Sequence, residues 1–394
     1  MKMAEYLLEN ITDERRKAGN RPATVIFAPV GDIRHLDPFV KHVKKLGLDK
    51  MQDVDFLFIY RAGLPKPDLG FSAVHAFEKY PLGTAGAFFA GQAYGYTLGY
   101  ETIIVADCDA FLDSRKTFDA MLAIAQREDK VVSTPAYTDD HQEKPGDNTT
   151  NGWGFMPRSA FEKAGFSTPY TWKGGDDFEI AYRLNKTGLR RWYSEGKTYH
   201  PASGYTIYHR ISQPQKYYPY ACGVFKSLLF IGDYDPKSYA KYLLWYVFNY
   251  FFGVAFCEES LKKIVQNSGK MALYEHVETL PNSNFAIEKG KGWVEYRHDM
   301  GYDRYLFIPK SLLLLLVAGR CQVHDDVIVL KMPRVVFALR LIWAAILAPI
   351  AALMGLASIA GWQKERKKVI YPIMPSNLDA AAKIFATLVE KKSL

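Results

Sequence analysis

The stretch Thr102-Ile103-Ile104-Val105-Ala106-Asp107-Cys108-Asp109 decides the fold of this chain. Five β-branched or apolar residues in succession predict a buried strand, and two aspartates follow directly after it. Ligands of α/β proteins bind beyond the carboxyl ends of the strands. The sequence therefore predicts a buried strand that delivers Asp107 and Asp109 to a binding site.

The sequence around that strand alternates short apolar runs with helical patterns. This alternation is typical of parallel strands joined by helices, so we predict an α/β fold. The predicted elements are strands at Thr24–Val30, Val54–Tyr60, Phe71–Phe77 and Glu101–Ala106, and helices at His35–Leu46 and Gly83–Gly99.

Composition narrows the class of protein without naming a function. The 394 residues are 48% hydrophobic and 23% charged, as in a folded protein. A net charge of +8 suits an anionic partner, which would be a nucleotide diphosphate, an acidic lipid surface or a nucleic acid. The four scattered cysteines and the charged N-terminus favour a reduced cytoplasmic setting without a signal peptide.

The C-terminal part of the chain carries two uncharged, strongly apolar stretches. Residues 242–257 are crowded with aromatic side chains, and residues 341–362 are about long enough to cross a hydrocarbon layer of roughly 30 Å as a helix. Basic residues flank the second stretch on both sides, and Pro349 and Gly355 would allow it to bend back. We expect a membrane-associated segment here; the alternative is a buried core helix of a soluble protein.

These patterns predict two domains. The first is an α/β domain over residues 1–225, and the second is a mostly helical, membrane-associating region over residues 226–394. Within the second region we expect interfacial or re-entrant helices near 242–257 and 335–362. The expected location is the cytoplasmic face of a membrane, with the chain bound peripherally or as a monotopic protein. We do not expect nucleic-acid binding, because the C-terminal basic residues flank apolar helices and not aromatic stacking platforms.

Asp107 and Asp109 are the first candidates for chemistry. Two carboxylates separated by one residue at a strand end can face the same hard divalent cation, Mn²⁺ or Mg²⁺. Such an ion bridges readily to a diphosphate and neutralises the charge that develops on a leaving nucleotide. The alternative is a pair of solvated loop carboxylates.

The second candidate group is Gly174-Gly175-Asp176-Asp177, which precedes a helical pattern. The glycines permit close approach of a ligand, and a carboxylate within reach of a hydroxyl group can accept its proton. Asp177 is the expected base and Asp176 an expected acceptor ligand. The alternative is ordinary capping, since acidic residues are favourable at a helix start. His209 is a third candidate, as a neutral imidazole ligand to a metal, although a structural role is open and His200 competes with it.

The order of these motifs resembles that of the inverting nucleotide-sugar glycosyltransferases of the GT-A fold, especially glycosyltransferase family two. The stretch from Gly83-Thr84-Ala85-Gly86-Ala87 to Asp107-Cys108-Asp109 is similar to that family's small-residue helix and metal motif. Asn151-Gly152-Trp153-Gly154-Phe155, followed by Trp172-Lys173-Gly174-Gly175-Asp176-Asp177, resembles the acceptor region of β-1,4-galactosyltransferases and polypeptide GalNAc-transferases. The resemblance covers roughly residues 24–212.

The resemblance implies a role for particular residues. Asp177 would be the catalytic base, His209 a metal ligand beside Asp109, and Asp107 a contact to the metal or the donor. Gly83 would contact the donor at the start of the small-residue helix. Asp32 is a candidate contact to uridine or ribose by its position after the first strand, and a turn-forming aspartate is the equal alternative.

Two departures from the family pattern bear on the expected function. The acidic nucleotide ligand that usually follows the second strand is replaced by Arg61, which would face a phosphate instead. The Gln-x-x-Arg-Trp signature of polymerising enzymes is incomplete, because Arg191-Trp192 is present while Gly188 occupies the glutamine position. The second departure favours single additions over a processive reaction.

The resulting prediction is a metal-dependent, inverting glycosyltransferase that adds one sugar from a nucleotide-diphosphate donor. A lipid-linked or glycan acceptor at the membrane surface would account for the C-terminal segments. Two alternatives stay open. One is a sugar nucleotidyltransferase, although Val30-Gly31-Asp32-Ile33-Arg34 is sparse for its phosphate loop; the other is a noncatalytic membrane scaffold that binds anionic lipid.

Overall fold

The computed structural model describes most of the first half of the chain and selected segments of the second. The described residues are 2–14, 23–134, 136–137, 152–171, 176–199, 230, 293–299, 321–324, 327–333, 363–364 and 366–393. Internal contacts divide the chain into two compact units. The first comprises Met1–Thr138, Gln142–Ala202 and Val369–Leu394, and the second comprises Asp139–His141 and Ser203–Lys368.

The first unit holds eleven strands and seven helices among its described residues. Its strands are β1 (Leu8–Asp13), β2 (Thr24–Val30), β3 (Val54–Tyr60), β4 (Val74–Glu78), β5 (Thr102–Ala106), β6 (Phe111–Leu112), β7 (Val131–Ser133), β8 (Ala136–Tyr137), β9 (Trp153–Pro157), β10 (Arg190–Trp192) and β11 (Thr198–Tyr199). Its helices are α1 (Met3–Leu7), α2 (Ile33–Lys45), α3 (Gly83–Thr97), α4 (Arg115–Glu128), α5 (Arg158–Ala164), α6 (Asp176–Lys186) and α7 (Leu378–Ser393).

An eight-stranded mixed sheet forms the centre of this unit, in the order β1-β4-β3-β2-β5-β9-β7-β10. Strands β4, β3, β2 and β5 run parallel to one another, which confirms the predicted α/β class. From β2 the chain proceeds outward through β3 and β4, and then returns to place β5 on the other side of β2. The strand order therefore reverses between β2 and β5, and such switch points are where open α/β sheets bind ligands.

Alternate residues of the central strands face two different helical layers. Ile26, Ala28 and Ile104 join a core that includes Phe39 of α2 and Phe118 of α4. On the opposite face Phe27 packs so closely against α3 that a Cβ atom on Gly91 would lie 2.0 Å from its ring. A glycine at this position is therefore required for α3 to approach the sheet. The result is a three-layer arrangement of helices, sheet and helices.

Helix capping explains where α2 and α4 begin. The Asp32 side chain accepts a hydrogen bond from the Arg34 N–H (2.9 Å), and the Ser114 side chain accepts one from the Thr117 N–H (3.1 Å). Each cap satisfies an N–H group that has no partner within its own helix. Because Asp32 is the cap, α2 begins at Ile33, two residues before the sequence prediction.

The C-terminal helix α7 belongs to the first unit. Phe385 of α7 packs edge-on against Phe89 of α3 at 6.3 Å and against Tyr170 at 6.0 Å. A Cβ atom on Gly86 would lie 2.8 Å from the Phe385 ring, so α3 and α7 are in close contact. The sequence prediction placed all of 226–394 in a separate region, and the structure differs because α7 buries its apolar face on α3.

The described part of the second unit contains a three-stranded antiparallel sheet, in the order β12-β14-β13. Its strands are β12 (Trp293–Asp299), β13 (Cys321–His324) and β14 (Val327–Pro333). Most of residues 226–368, for which the sequence predicts a mostly helical region, lies outside the described residues, so that prediction stays a prediction. Both predicted membrane-associating segments, 242–257 and 335–362, lie outside the described residues. Among the residues that are described, no helix has the length and apolar character needed to cross a membrane.

Candidate active site

The two aspartates of the opening motif lie in a tight turn at the carboxyl end of β5. The Ala110 N–H donates to the Asp107 carbonyl oxygen (3.1 Å), which closes the turn. The indole N–H of Trp153, at the start of β9, donates to the Ala110 carbonyl oxygen (3.0 Å). Asp107 and Asp109 are both partly exposed, whereas Cys108 between them is buried. The turn thus presents two carboxylates at the switch point of the sheet.

Cys108 anchors the turn to the neighbouring strand. Its thiol donates to the carbonyl oxygen of Pro29 in β2 over 3.3 Å. Burial raises the pKa of the Cys108 thiol well above its usual value, and the nearby Asp107 and Asp109 carboxylates raise it further. The thiol is therefore a neutral structural group that ties β5 to β2.

Gly152 fixes the position of Asp107 through two hydrogen bonds. The Asp107 N–H donates to the Gly152 carbonyl oxygen (2.9 Å), and the Gly152 N–H donates to Asp107 Oδ2 (3.1 Å). These bonds form because β9 runs antiparallel to β5, so that its first residues lie beside the end of β5. Gly152 has φ = +91°, and a Cβ atom there would lie 2.8 Å from Thr198 Cγ2. Both observations require glycine at this position.

We expect Gly152→Ala to destabilise the first unit. The left-handed backbone costs about 1–3 kcal/mol for a residue with a side chain, and the collision with Thr198 adds to it. Gly99→Ala is the matched control, because Gly99 has φ = +88° but open space around its Cβ position. Denaturant unfolding should show a larger loss for Gly152→Ala than for Gly99→Ala; equal losses would contradict the proposed collision.

A single cavity brings the two acidic motifs of the sequence together. It is lined by Asp107 at the end of β5, by Asp177 in the first turn of α6 and by Gly152, and its volume of about 20 Å³ is close to that of one water molecule. Ile180 lines the cavity three residues after Asp177, since residues i and i+3 share one face of a helix. Seventy residues of sequence separate the two carboxylates, and the fold joins them at one site.

Asp176 and Asp177 are the first two residues of α6. The N-terminal end of a helix carries a partial positive charge that stabilises carboxylates, so the capping role and the chemical role are compatible here. Asp177 is partly exposed, and the side chain of Asp176 lies outside the description. The preceding Trp172–Gly175, like Asn151 and His209, is outside the described residues. The predicted metal ligation by His209 stays a prediction.

Two polar residues of the cavity wall were not predicted from the sequence. The Gln92 side chain donates to Ser167 Oγ (2.9 Å), and the Ser167 N–H donates to Gln92 Oε1 (3.0 Å). Both residues are buried and line the same cavity as Asp107 and Asp177. One feature of the sequence points to this pair: Gln92 is an amide side chain among the small and aromatic residues of α3, where a polar group requires a buried partner.

Asp32 is engaged with Arg34 in addition to its capping role. Arg34 Nε donates to both carboxylate oxygens of Asp32 (3.0 and 2.9 Å), and its Nη2 also contacts Oδ2. These hydrogen bonds lower the pKa of Asp32 to about 2. The structure confirms that Asp32 is the turn-forming residue and the cap of α2. The predicted contact of Asp32 with uridine or ribose stays a prediction.

Arg61 and Gly83 flank a buried carboxyl group that the sequence prediction omitted. Glu78, the last residue of β4, accepts a hydrogen bond from the Leu82 N–H (3.2 Å) immediately before α3. Burial raises the pKa of Glu78 to about 8, although the Leu82 N–H and the Arg61 charge act in the opposite direction. The exposed Arg61 therefore has a carboxyl neighbour, and Gly83 opens α3 with φ = +71°. Phosphate contacts by Arg61 and Gly83 stay predictions.

The oxygen ligands of the turn fit a hard divalent cation. Within the described part of the chain, no group of three or more His, Cys, Asp or Glu side chains is arranged to hold a metal. Mg²⁺ in phosphate-transfer and related sites is often held by one or two carboxylates together with substrate phosphates and water. Asp107 and Asp109 meet that requirement. They therefore fit an ion that is held jointly with a diphosphate better than one that protein side chains hold alone.

Comparisons with known proteins show no family for this chain, and the solved structures that it matches have TM-scores below 0.5. No protein-family model matches this chain, and the comparison with curated proteins finds no match either. TarS 1–349 of S. aureus has a TM-score of 0.43 at 10% identity, over 88% of this chain and 90% of that one. Mannosyltransferase PcManGT from Pyrobaculum calidifontis, in complex with GDP-Man and Mn²⁺, has a TM-score of 0.43 at 13% identity, over 88% of both chains.

GalNAc-T7, solved with UDP, GalNAc and Mn²⁺, has a TM-score of 0.35 at 12% identity over 45% of this chain. The chain spans 43%, 63% and 55% of the lengths of the first three solved structures that it matches. At these identities and TM-scores the matches assign no function to this chain.

Proposed function

We propose that this chain is a metal-dependent glycosyltransferase that moves a single sugar from a nucleotide-diphosphate donor to an acceptor hydroxyl group, with inversion at the anomeric carbon. The observation that carries this proposal is the cavity shared by Asp107 and Asp177. One carboxylate stands at the end of a strand, at the switch point of the sheet, and the other at the start of a helix. The cavity of about 20 Å³ has room for about one water molecule, so the substrates would bind at its mouth, with the diphosphate near Asp107 and the hydroxyl nucleophile near Asp177.

On the donor side, Asp107 and Asp109 would hold Mn²⁺ or Mg²⁺ against the diphosphate. A bound ion of this kind neutralises negative charge on the departing nucleotide diphosphate. The Asp107 carboxylate is oriented by the Gly152 N–H, and the turn is fixed by Cys108 and Trp153. Because these contacts already exist in the folded chain, little reorganisation is needed when the donor binds.

On the acceptor side, Asp177 would act as the general base. The acceptor oxygen forms a bond to the anomeric carbon while the bond from that carbon to the diphosphate oxygen breaks, and the hydroxyl proton passes to the Asp177 carboxylate. Direct displacement on the face opposite to the leaving group inverts the anomeric configuration. Gln92 and Ser167 are bonded to each other on the wall of the same cavity, so they fix the wall beside Asp177.

We propose a lipid-linked or glycan acceptor at the cytoplasmic face of a membrane. The support is in the sequence: the chain has a net charge of +8, and the apolar stretches at 242–257 and 341–362 are accompanied by basic residues. An apolar, basic surface binds anionic membranes. Direct binding to anionic vesicles, lost when the basic residues 364–368 are neutralised, is the corresponding measurement.

One structural observation disfavours the nucleotidyltransferase alternative. Strand β2 ends at Val30 and helix α2 begins at Ile33, so only Gly31 and Asp32 connect them. A two-residue connection does not form the extended Gly-rich loop that such enzymes place after their first strand. Asp32 is moreover occupied as the helix cap.

The proposed function is tested by a screen of nucleotide sugars for thermal stabilisation of the full chain with and without Mn²⁺ or Mg²⁺. A ligand that binds only the folded state stabilises it by about 2.7 kcal/mol at a concentration 100 times its dissociation constant. We expect at least one nucleotide-diphosphate sugar to raise the unfolding temperature only when metal is present. If no nucleotide diphosphate does so, the chain is not this enzyme, and binding to anionic lipid alone would favour the scaffold alternative.

A further inference from the structure

Helix α6 carries a fully buried ion pair directly beyond the proposed base. Glu179 and Arg183 lie one turn apart and are 0% and 1% exposed. Arg183 Nε donates to Glu179 Oε1 (2.5 Å), and Arg183 Nη2 donates to Glu179 Oε2 (2.9 Å). A charge pair without solvent contact requires further hydrogen bonds to offset the cost of desolvation.

Those further bonds attach α6 to the segment that follows α5. Arg183 Nη1 donates to the carbonyl oxygen of Ala164, and Arg183 Nη2 donates to that of Phe166 (2.6 Å). The next residue, Ser167, lines the cavity that also contains Asp177. The guanidinium group therefore holds together two elements of the cavity wall.

The C-terminal segment supplies the remaining partner of the pair. The Tyr371 hydroxyl group donates to Glu179 Oε1, and the Arg183 guanidinium lies 5.7 Å from the centre of the Tyr371 ring. The Phe166 N–H donates to the Ile373 carbonyl oxygen (2.8 Å), so the backbone is also paired there. A Cβ atom on Gly165 would lie 2.5 Å from that same carbonyl oxygen, which shows how closely the two segments approach.

We propose that Tyr371 is a positioning residue for the reaction: through Glu179 it holds α6, and with it Asp177, in the orientation that the chemistry requires. This inference rests on the proposed function. Tyr371 is not among the residues that line the cavity. It acts from the C-terminal segment, 192 residues away from Glu179 in sequence.

The physical reason lies in the geometry of α6. Glu179 is two residues after Asp177, so a shift of the Glu179 carboxylate moves the first turn of the helix. A displacement of about 1 Å at a catalytic group costs on the order of 100-fold in rate. Binding of the donor at Asp107 and Asp109 depends on the turn after β5 and on Gly152, and the hydrogen bonds described above for Glu179, Arg183 and Tyr371 go to other residues. Loss of the Tyr371 hydroxyl group should therefore affect turnover and not donor binding.

The test compares Tyr371→Phe with Tyr100→Phe in the full chain. Tyr100 is 2% exposed, and its hydroxyl group donates to Asp55 Oδ2 (2.6 Å) near the amino ends of the strands, away from the site. Each variant thus loses one part-buried hydroxyl–carboxylate hydrogen bond. We would measure kcat and KM for sugar transfer, donor affinity with metal present, and the unfolding temperature of each variant.

For Tyr371→Phe we expect a fall in kcat of about 10- to 100-fold with donor affinity unchanged. For Tyr100→Phe we expect wild-type kcat and a similar loss of stability. Equal kcat values in the two variants would overturn the positioning role while leaving the proposed function intact. Absence of donor binding and transfer in the wild-type chain would overturn the proposed function, and this inference with it.

Discussion

Replacement of Asp177 by asparagine is expected to reduce sugar transfer by about 10²- to 10⁴-fold, the range that a positioned general base contributes. The amide has nearly the shape of the carboxylate but does not accept the hydroxyl proton at neutral pH. Donor affinity and its metal dependence should stay at wild-type values, because Asp107 and Asp109 are unchanged. Steady-state kinetics with donor titration would separate the two effects.

Asp176→Asn is the informative neighbour for this experiment. We assign Asp176 to acceptor binding, so its replacement should raise the KM for the acceptor and change kcat less. A larger loss of kcat in Asp176→Asn than in Asp177→Asn would indicate that Asp176 is the base and Asp177 the acceptor ligand. Full activity of Asp177→Asn would remove the base from the proposed mechanism.

The second large effect is expected for Asp109→Asn. Loss of one carboxylate from the turn after β5 should lower metal-dependent donor affinity by about two orders of magnitude, because replacing even the supporting partner of a metal ligand costs about 10- to 100-fold in metal affinity. Thermal stabilisation by donor with Mn²⁺ should therefore disappear at concentrations that saturate the wild type. The variant should resemble the wild-type chain treated with a chelator.

Asp113→Asn is the matched control for Asp109→Asn. Asp113 is exposed, lies four residues further along the chain and follows the short strand β6. Asp113 has the same charge as Asp109 and lies close to it in sequence, but it is not part of the turn after β5. Equal losses of donor affinity in both variants would indicate a general electrostatic effect and would contradict metal ligation by Asp109.

Much of the central sheet is predictable from the sequence because its strands are continuous apolar runs. The predicted bounds of β2 and β3 coincide with the observed ones, and β5 differs by one residue. The prediction of Phe71–Phe77 for β4 was less accurate, since pairing with β3 begins only at Val74. Phe71 packs on Phe56 at 4.7 Å instead. Phe71 is therefore apolar because it packs in the core, not because it belongs to β4.

The direction of β9 could not be read from the sequence. A run such as Trp153–Pro157 forms a buried strand in either direction, and only its insertion between β5 and β7 makes it antiparallel. That direction decides which residue lies beside Asp107. It places Gly152 against the turn of Asp107. The residues Asp107-Cys108-Asp109 alone do not indicate a contact with Gly152.

The sequence by itself determined the class of the fold and identified the acidic residues of the proposed site. Strand periodicity and a carboxylate after the last residue of β5 are local properties, and local properties can be read along the chain. The tertiary structure decided that Asp107 and Asp177 share a cavity, that Gln92 and Ser167 complete its wall, and that Tyr371 reaches α6. These contacts join residues 70 to 192 positions apart in the chain. Such pairings arise from the packing of whole elements, which no local pattern of residues encodes.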